Sequence, residues 1–182
     1  KTEALGWRSE FKSFAYVPEE LKGLISSHAR QVESLRGDVD RWGTSTDLVR
    51  LARFLSRLAR LYCAGGNNRL ALSSMEEANA LFRQCEKVRA FLLNRGRLAV
   101  IRRYMNEPEV ARSLFDELLE DEKSGFTRPY RSRFLVWRSH VLGDLGDRDA
   151  ARVDLLEAQE IEKARKRTNL GVHIDRLLVE LG

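Results

Sequence analysis

The chain has 182 residues, of which 43% are hydrophobic and 32% are charged, and its formal net charge at pH 7 is +5. This length fits one domain or one small repeat array, and the charge excess is too small for a nucleic-acid-binding tail. Two cysteines, Cys63 and Cys85, provide no disulfide framework, and no apolar run is long enough to span a bilayer.

From this composition we expect a cytoplasmic protein in a reducing compartment, without a signal peptide or membrane contact. Leu, Ala, Arg and Glu dominate the sequence, and all four favour helices. Val, Ile and Thr are sparse, and only three prolines interrupt the chain. The sequence therefore predicts an all-α fold.

The first 43 residues predict a helical extension that packs on the rest of the chain. "VPEELKGLISSHARQVESLRG" is a helix pattern with Pro18 in its first turn and Gly37 past its end. The following "GDVDRWG" is expected to be a connecting loop. Before Pro18, five apolar residues predict a further short helix: Leu5, Trp7, Phe11, Phe14 and Tyr16.

A repeat with a period of forty residues begins after this extension. The segment Thr44-Ser45-Thr46-Asp47 is a good helix start, and "AGGNN", residues 64–68, is a turn between two apolar-periodic segments. Each of three turns is followed by a small residue and then, four residues later, by a large apolar one. These positions are Gly66, Ala71 and Met75; Asn106, Ala111 and Phe115; Gly146, Ala151 and Leu155. A period held in three copies indicates a repeat protein.

The predicted helices alternate along the three copies. First helices are expected near 46–64, 87–105 and 128–145, and second helices near 67–86, 107–122 and 147–165. "KSGFT", residues 123–127, is expected to be a loop. The final stretch, 167–182, is in register with a fourth first helix, and we expect it to cap the array.

Residues 46–182 resemble the tetratricopeptide repeat family. The first copy carries the resemblance best, through Leu55, Leu58-Ala59, Tyr62, Gly66, Ala71, Met75 and Ala78. The later copies depart from the pattern at Arg102, which replaces the tyrosine, and at Arg138, which replaces the leucine. The proline that closes each repeat is absent, and the period is forty rather than thirty-four.

The resemblance implies a right-handed superhelical array of antiparallel helix pairs, an α-solenoid. The expected domains are an N-terminal extension, 1–43, and an array, 44–182. The array would contain repeats at about 46–86, 87–127 and 128–166 and the capping helix 167–182. In this family the first helices line a concave surface and the second helices form its back.

Charge is divided unequally between the two sets of helices. The predicted first helices carry fourteen Lys or Arg and two acidic residues, whereas in the second helices sixteen acidic residues outnumber the basic ones. Together with the resemblance, this bias implies a basic groove with an acidic outer wall, which would attract an acidic or phosphorylated peptide. The candidate ligand-binding residues are Arg53, Arg57, Arg60, Arg97, Arg103, Tyr104, Arg133, Trp137 and His140.

Three alternatives remain open at this point. First- and second-helix charges could pair with each other and leave a neutral groove. The same arginines could meet nucleic-acid phosphates, with Tyr104 and Trp137 stacking on bases. Trp137 could also belong to the core. No catalytic residues, metal-ligand spacing or cofactor motif is apparent, so we expect a non-catalytic interaction scaffold or regulatory module, not an enzyme. Because the chain starts at Lys1, a neighbouring domain of a longer protein is one candidate partner.

Overall fold

A computed structural model describes residues 18–120, 125, 127–165 and 168–181. Within these residues the fold is all-α, and adjacent helices pack consecutively. The helices are α1 (Pro18–Trp42), α2 (Ser45–Ala64), α3 (Asn68–Gln84), α4 (Val88–Tyr104), α5 (Pro108–Glu120), α6 (Arg131–Asp144), α7 (Arg148–Ala164) and α8 (Thr168–Leu181), with a 3-10 helix, Arg128–Tyr130, before α6. The predicted all-α class is confirmed, and the six first and second helices predicted for the array are found within a few residues of their expected bounds.

The chain forms two compact units, an N-terminal unit (Lys1–Asn94) and a C-terminal unit (Arg95–Gly182). In the N-terminal unit, α1 packs on α2 and α2 packs on α3. In the C-terminal unit, α5 packs on α6, α6 on α7, and α7 on α8. The predicted short helix around Leu5–Tyr16 and most of the predicted loop 123–127 lie outside the described residues.

The prediction that α1 ends at Gly37 and is followed by a loop is wrong. The helix continues to Trp42, because Val39 packs against the core formed with α2 and continued burial favours the helix. The helix ends at Trp42 and is followed by Gly43, whose φ of +47° is a left-handed conformation that a glycine adopts without steric cost. An exposed glycine such as Gly37 weakens a helix by about 1 kcal/mol, which this packing offsets.

The three predicted turns share one backbone conformation. Gly66, Asn106 and Gly146 have φ values of 78°, 63° and 81°. In the first of them Asn67 N donates to Tyr62 O and Gly66 N donates to Cys63 O, the paired bonds of a Schellman ending. The same pair of bonds recurs forty and eighty residues later. The repeat period seen in the sequence is thus also a period in backbone geometry.

The repeated small and apolar positions are buried in all three copies. Ala71, Ala111 and Ala151 are each 0% exposed. The large residues four positions later, Met75, Phe115 and Leu155, are at most 1% exposed. The small residues predicted at the crossings of the first helices, Ala59, Ala99 and Ser139, are at most 4% exposed. Small side chains at these positions allow the helices to pack closely.

The core of the N-terminal unit joins its first three helices. Val32 and Leu35 of α1 and Leu51, Leu55 and Leu58 of α2 form one buried cluster together with Ala78 of α3. A bidentate ion pair also joins α1 to α3. Arg36 of α1 donates to both carboxylate oxygens of Glu77 of α3, from Nε at 3.2 Å and from Nη2 at 2.5 Å. These contacts attach α1 to the first helical hairpin.

The core of the C-terminal unit is rich in aromatic side chains. Phe115 of α5 and Phe134 and Trp137 of α6 have ring centroids 6.0 to 6.5 Å apart. Gly96 of α4 lies against this cluster, where a Cβ atom would come within 2.6 Å of Phe134 Cε1. The absence of a side chain at Gly96 therefore allows α4 and α6 to approach each other.

Among the described residues, no helix is both long enough and apolar enough to cross a membrane.

Candidate functional site

The exposed side of α2 in the N-terminal unit is basic. Arg50, Arg53 and Arg57 recur every three or four residues, and all three side chains are exposed. Arg60, one turn further on, is partly buried. Within the described part of the chain, no ion pair or hydrogen bond joins Arg50, Arg53 or Arg57 to another residue. We call these three residues the α2 arginine face.

Burial of the other sides of α2 fixes the direction of this face. Its buried residues surround most of the helix and are Val49, Leu51, Ala52, Leu55, Ser56, Leu58, Ala59 and Leu61. At the start of the helix, the Thr44 side chain accepts a hydrogen bond from Asp47 N, as the predicted helix start requires. Among the described residues, the middle of α2 is therefore exposed mainly on its arginine-bearing side.

A buried hydrogen bond next to Arg57 holds α2 against α4. Asn94 Nδ2 donates to Ser56 Oγ at 2.7 Å, and Ser56 Oγ donates to Ala52 O at 2.9 Å. Asn94 is 1% exposed and Ser56 is 6% exposed. A buried polar pair of this kind resists rotation of the helix, because turning it would leave both groups unsatisfied. This pair could not be predicted, because residues 38 positions apart give no local signal.

The six other predicted site residues belong to the C-terminal unit, where Arg103 is bonded to a carboxylate. Its Nη2 donates to Asp144 Oδ1 at 2.9 Å, and its Nε also donates to this carboxylate. Its guanidinium carbon lies 5.8 Å from the ring centroid of Tyr104. The Arg103 side chain is only 14% exposed. Arg97, one of the predicted residues of α4, is partly buried.

Arg133 and Trp137 of α6 are in contact with each other. The guanidinium carbon of Arg133 lies 5.9 Å from the Trp137 ring centroid, a cation–π arrangement. Trp137 is 5% exposed, and its ring packs with Phe115 and Phe134. The structure thus places Trp137 in the core of the C-terminal unit.

His140 lies one turn beyond Trp137 and faces α8. Its ring centroid is 6.2 Å from that of His173. Burial, followed by the positive charge of Arg103 and by His173, lowers the pKa of His140 to about 4, while Asp144 acts in the opposite direction. His140 is therefore neutral at physiological pH.

Several other first-helix arginines pair with second-helix carboxylates, as one alternative expected. Arg95 contacts Glu117 at 2.5 Å, and Arg131 Nε donates to Glu157 at 2.6 Å. Arg138 is bonded to both Asp116 and Asp154. Part of the basic charge of the C-terminal unit is therefore paired with carboxylates of the same unit. It does not extend to Arg53 and Arg57 within the described residues.

One surface of the C-terminal unit contains an open groove of about 610 Å³. Five carboxylate side chains line it: Glu109, Asp116, Glu117, Glu120 and Asp147. Asp116 and Glu117 are engaged by Arg138 and Arg95. The acidic block in residues 107–122 was the sequence signal for this surface, although the groove itself was not predicted.

The cysteines are separate and unpaired. Burial raises the pKa of the Cys63 thiol to about 12, so that it stays protonated and is a poor nucleophile or metal ligand. Over the described stretches of the chain, no three His, Cys, Asp or Glu side chains are grouped as metal ligands.

The predicted site residues therefore form local groups. Arg53, Arg57 and Arg60 are on α2 of the N-terminal unit. In the C-terminal unit, Arg103 contacts Tyr104, and Arg133 contacts Trp137. No protein-family model matches this chain, and no curated protein is significantly similar to it in sequence.

Proposed function

We propose that this protein is a non-catalytic interaction scaffold of the tetratricopeptide type that binds an acidic or phosphorylated peptide segment. The right-handed superhelical array and a cytoplasmic location belong to this proposal. Support for the repeat type comes from the three equivalent turns and from the buried alanines that follow them. These are local features of a helical-pair repeat.

The observation that carries the binding proposal is the exposure of Arg53 and Arg57 without an acidic partner among the described residues. A guanidinium presents a planar fork that binds a carboxylate or a phosphate through two parallel hydrogen bonds. Arginines whose charge is already satisfied, such as Arg138, offer much less to a ligand. Within the described part of the chain, no residue occupies the donors of Arg53 and Arg57.

The spacing of these arginines indicates which peptides would fit. Residues four apart on a helix are separated by about 6 Å along its axis. Alternate residues of an extended peptide lie on the same side, at about 6.6 Å. Arg53 and Arg57 could therefore each meet one anionic side chain of an extended segment with acidic or phosphorylated residues at alternate positions.

No catalytic step is part of the proposal, because the described groups with shifted pKa values have structural explanations. Glu77 raises the pKa of Arg36 by accepting its hydrogen bonds, and Asp154 does the same for Arg138. Cys63 and His140 are shifted by burial. Each of these shifts follows from a hydrogen-bonded ion pair or from burial.

Charge reversal on α2 tests the proposal. The affinity of a fluorescein-labelled extended peptide with glutamates at alternate positions would be measured by anisotropy. We expect Arg53→Glu combined with Arg57→Glu to weaken binding at least tenfold, through loss of two charge-assisted contacts. The matched control is Arg69→Glu combined with Arg83→Glu, the same change of charge at exposed positions of α3.

Equal effects of the two double variants would refute the assignment to α2. A labelled single-stranded oligonucleotide serves as the second probe. If it binds more tightly than the peptide, independently of its sequence and with a steep dependence on salt, the peptide proposal is wrong and the nucleic-acid alternative is supported.

A further inference from the structure

The open groove of the C-terminal unit presents carboxylates that no described residue neutralises. Glu109 and Glu120 of α5 line it and are exposed, and neither forms an ion pair or a hydrogen bond with a described residue. Five carboxylates line this groove, and Arg112 is the one basic side chain among its described lining residues. Ion pairs with arginines of α4 and α6 offset part of this charge. Glu109 and Glu120 keep theirs, so we call this surface the carboxylate groove.

The α2 arginine face and the carboxylate groove are complementary in charge and in length. Arg50 and Arg57 lie about 10 Å apart along the axis of α2. Glu109 and Glu120 lie about 16 Å apart along α5, so the row of carboxylates is long enough to accompany the whole row of arginines. Each guanidinium can bind a carboxylate through two parallel hydrogen bonds. Two exposed surfaces of opposite charge are therefore available to a second molecule.

We propose that a second copy of this chain is a partner of the α2 arginine face, which docks on the carboxylate groove of that copy. This inference rests on the proposed function, because it assigns a partner to the same arginines. Carboxylates held by a folded helix then take the place of the acidic peptide segment. The two surfaces in contact are different, so each added copy brings one further arginine face and one further groove. Association is therefore head to tail, into rings or open chains.

The attraction between the two surfaces is mainly electrostatic. Among the described lining residues of the groove, only Leu145 is apolar, so little hydrophobic area is available to the contact. Exposed charges act over about 30 Å at about 10 mM salt and over about 10 Å at about 0.1 M salt. Each copy also carries a net charge of +5, which opposes association of copies in other orientations. We therefore expect self-association at low salt that weakens as salt is added.

Sedimentation equilibrium of the full chain at about 10 mM salt tests the proposal with two variants. The arginine variant combines Arg53→Glu with Arg57→Glu, and the groove variant combines Glu109→Lys with Glu120→Lys. All four positions are exposed, and circular dichroism checks that both variants keep the helical content of the wild type. We expect the average mass of the wild type to rise with concentration, whereas each variant alone should keep the mass of one chain.

A mixture of the two variants gives the sharpest result. The arginine variant retains an intact groove and the groove variant retains an intact arginine face, so the mixture should form a complex of two chains that grows no further. The matched control combines Asp38→Lys with Asp40→Lys at exposed positions of α1, the same change of charge as in the groove variant. This control should associate as the wild type does.

The alternating glutamate peptide distinguishes this proposal from the proposed function. The groove variant should bind the peptide as the wild type does, since its α2 arginine face is unchanged. Self-association of the chain is refuted if the wild type keeps the mass of one chain, if the groove variant associates as the wild type does, or if the mixed variants stay separate. In each of these cases, peptide binding by the groove variant that is lost in the arginine variant would still support the proposed function.

Discussion

The Arg138 guanidinium and the Asp154 carboxylate form a bidentate pair, with Nε donating at 2.8 Å and Nη2 donating at 2.7 Å. Asp154 is 3% exposed, and burial raises its pKa while Arg138 opposes that shift. A third bond, from Arg138 Nη1 to Asp116, measures 2.7 Å. Arg138 occupies the repeat position that holds Leu58 in the first copy, so a charged pair replaces an apolar contact between helices.

Asp154→Asn should therefore destabilise the protein. The substitution removes the charge that balances Arg138 and leaves Asp116 as its remaining acidic partner, so we expect a loss of about 2–3 kcal/mol in the free energy of unfolding. Urea denaturation followed by circular dichroism measures it. Asp149→Asn, at an exposed position of the same helix, is the control. If the two variants are equally stable, the pair contributes nothing to folding.

Gly96→Ala should also lower stability. The new Cβ would lie 2.6 Å from Phe134 Cε1 and 3.2 Å from Trp137 Cζ3, so the aromatic cluster would have to move. We expect a loss of about 1–3 kcal/mol. Gly37→Ala, where nothing lies within 4 Å, should instead stabilise α1 by up to about 1 kcal/mol. Thermal melts of both variants test this explanation. Melting temperatures that shift in the same direction in the two variants would contradict it.

The left-handed turns predict opposite effects for two substitutions. Gly146→Ala forces a side chain onto a residue with φ of 81° and should cost about 1–2 kcal/mol. Asn106→Gly relieves a φ of 63° at the equivalent position of the preceding copy and should be neutral or slightly stabilising. Chemical denaturation of both variants measures the effects. A neutral Gly146→Ala variant would show that this turn tolerates a side chain.

Acid should destabilise the C-terminal unit through His140. Its pKa is about 4 when folded and 6.5 when exposed, so the unfolded state binds more protons between these values. The stability contributed by the neutral ring is complete above pH 6.5 and is lost as pH falls towards 4, up to about 3 kcal/mol. Denaturation at pH 7 and pH 4.5 should show a smaller difference for His140→Gln than for the wild type. An equal difference would exclude this histidine as the cause.

Much of the local fold could be predicted because its signals are local. Gly66 and Gly146 marked turns that must adopt positive φ, and the alanines five residues later marked helix crossings. Glu86 adopts a φ of 55° in a similar turn after α3, which its residue type did not indicate. Gly37 led to the opposite error, a helix end predicted where the helix continues. From the sequence alone, a glycine inside a helix looks like the end of that helix, and the packing of Val39 shows that it is not.

The candidate site was less predictable, because charge pairing depends on tertiary contacts. The periodicity of the sequence predicted that Arg53 and Arg57 lie on the solvent-facing side of α2, and both side chains are exposed in the structure. It could not show that Arg103 would pair with Asp144, 41 residues away, or that His140 would meet His173. Such contacts between helices depend on side-chain packing rather than on helical period.

The most direct test of peptide binding at α2 is an NMR titration that follows the arginine Nε–Hε resonances while the alternating glutamate peptide is added. Assignments come from Arg53→Lys and Arg57→Lys single variants. We expect the Arg53 and Arg57 resonances to shift together and to saturate at one peptide per chain. Resonances of these two arginines that stay unchanged while others shift would contradict it.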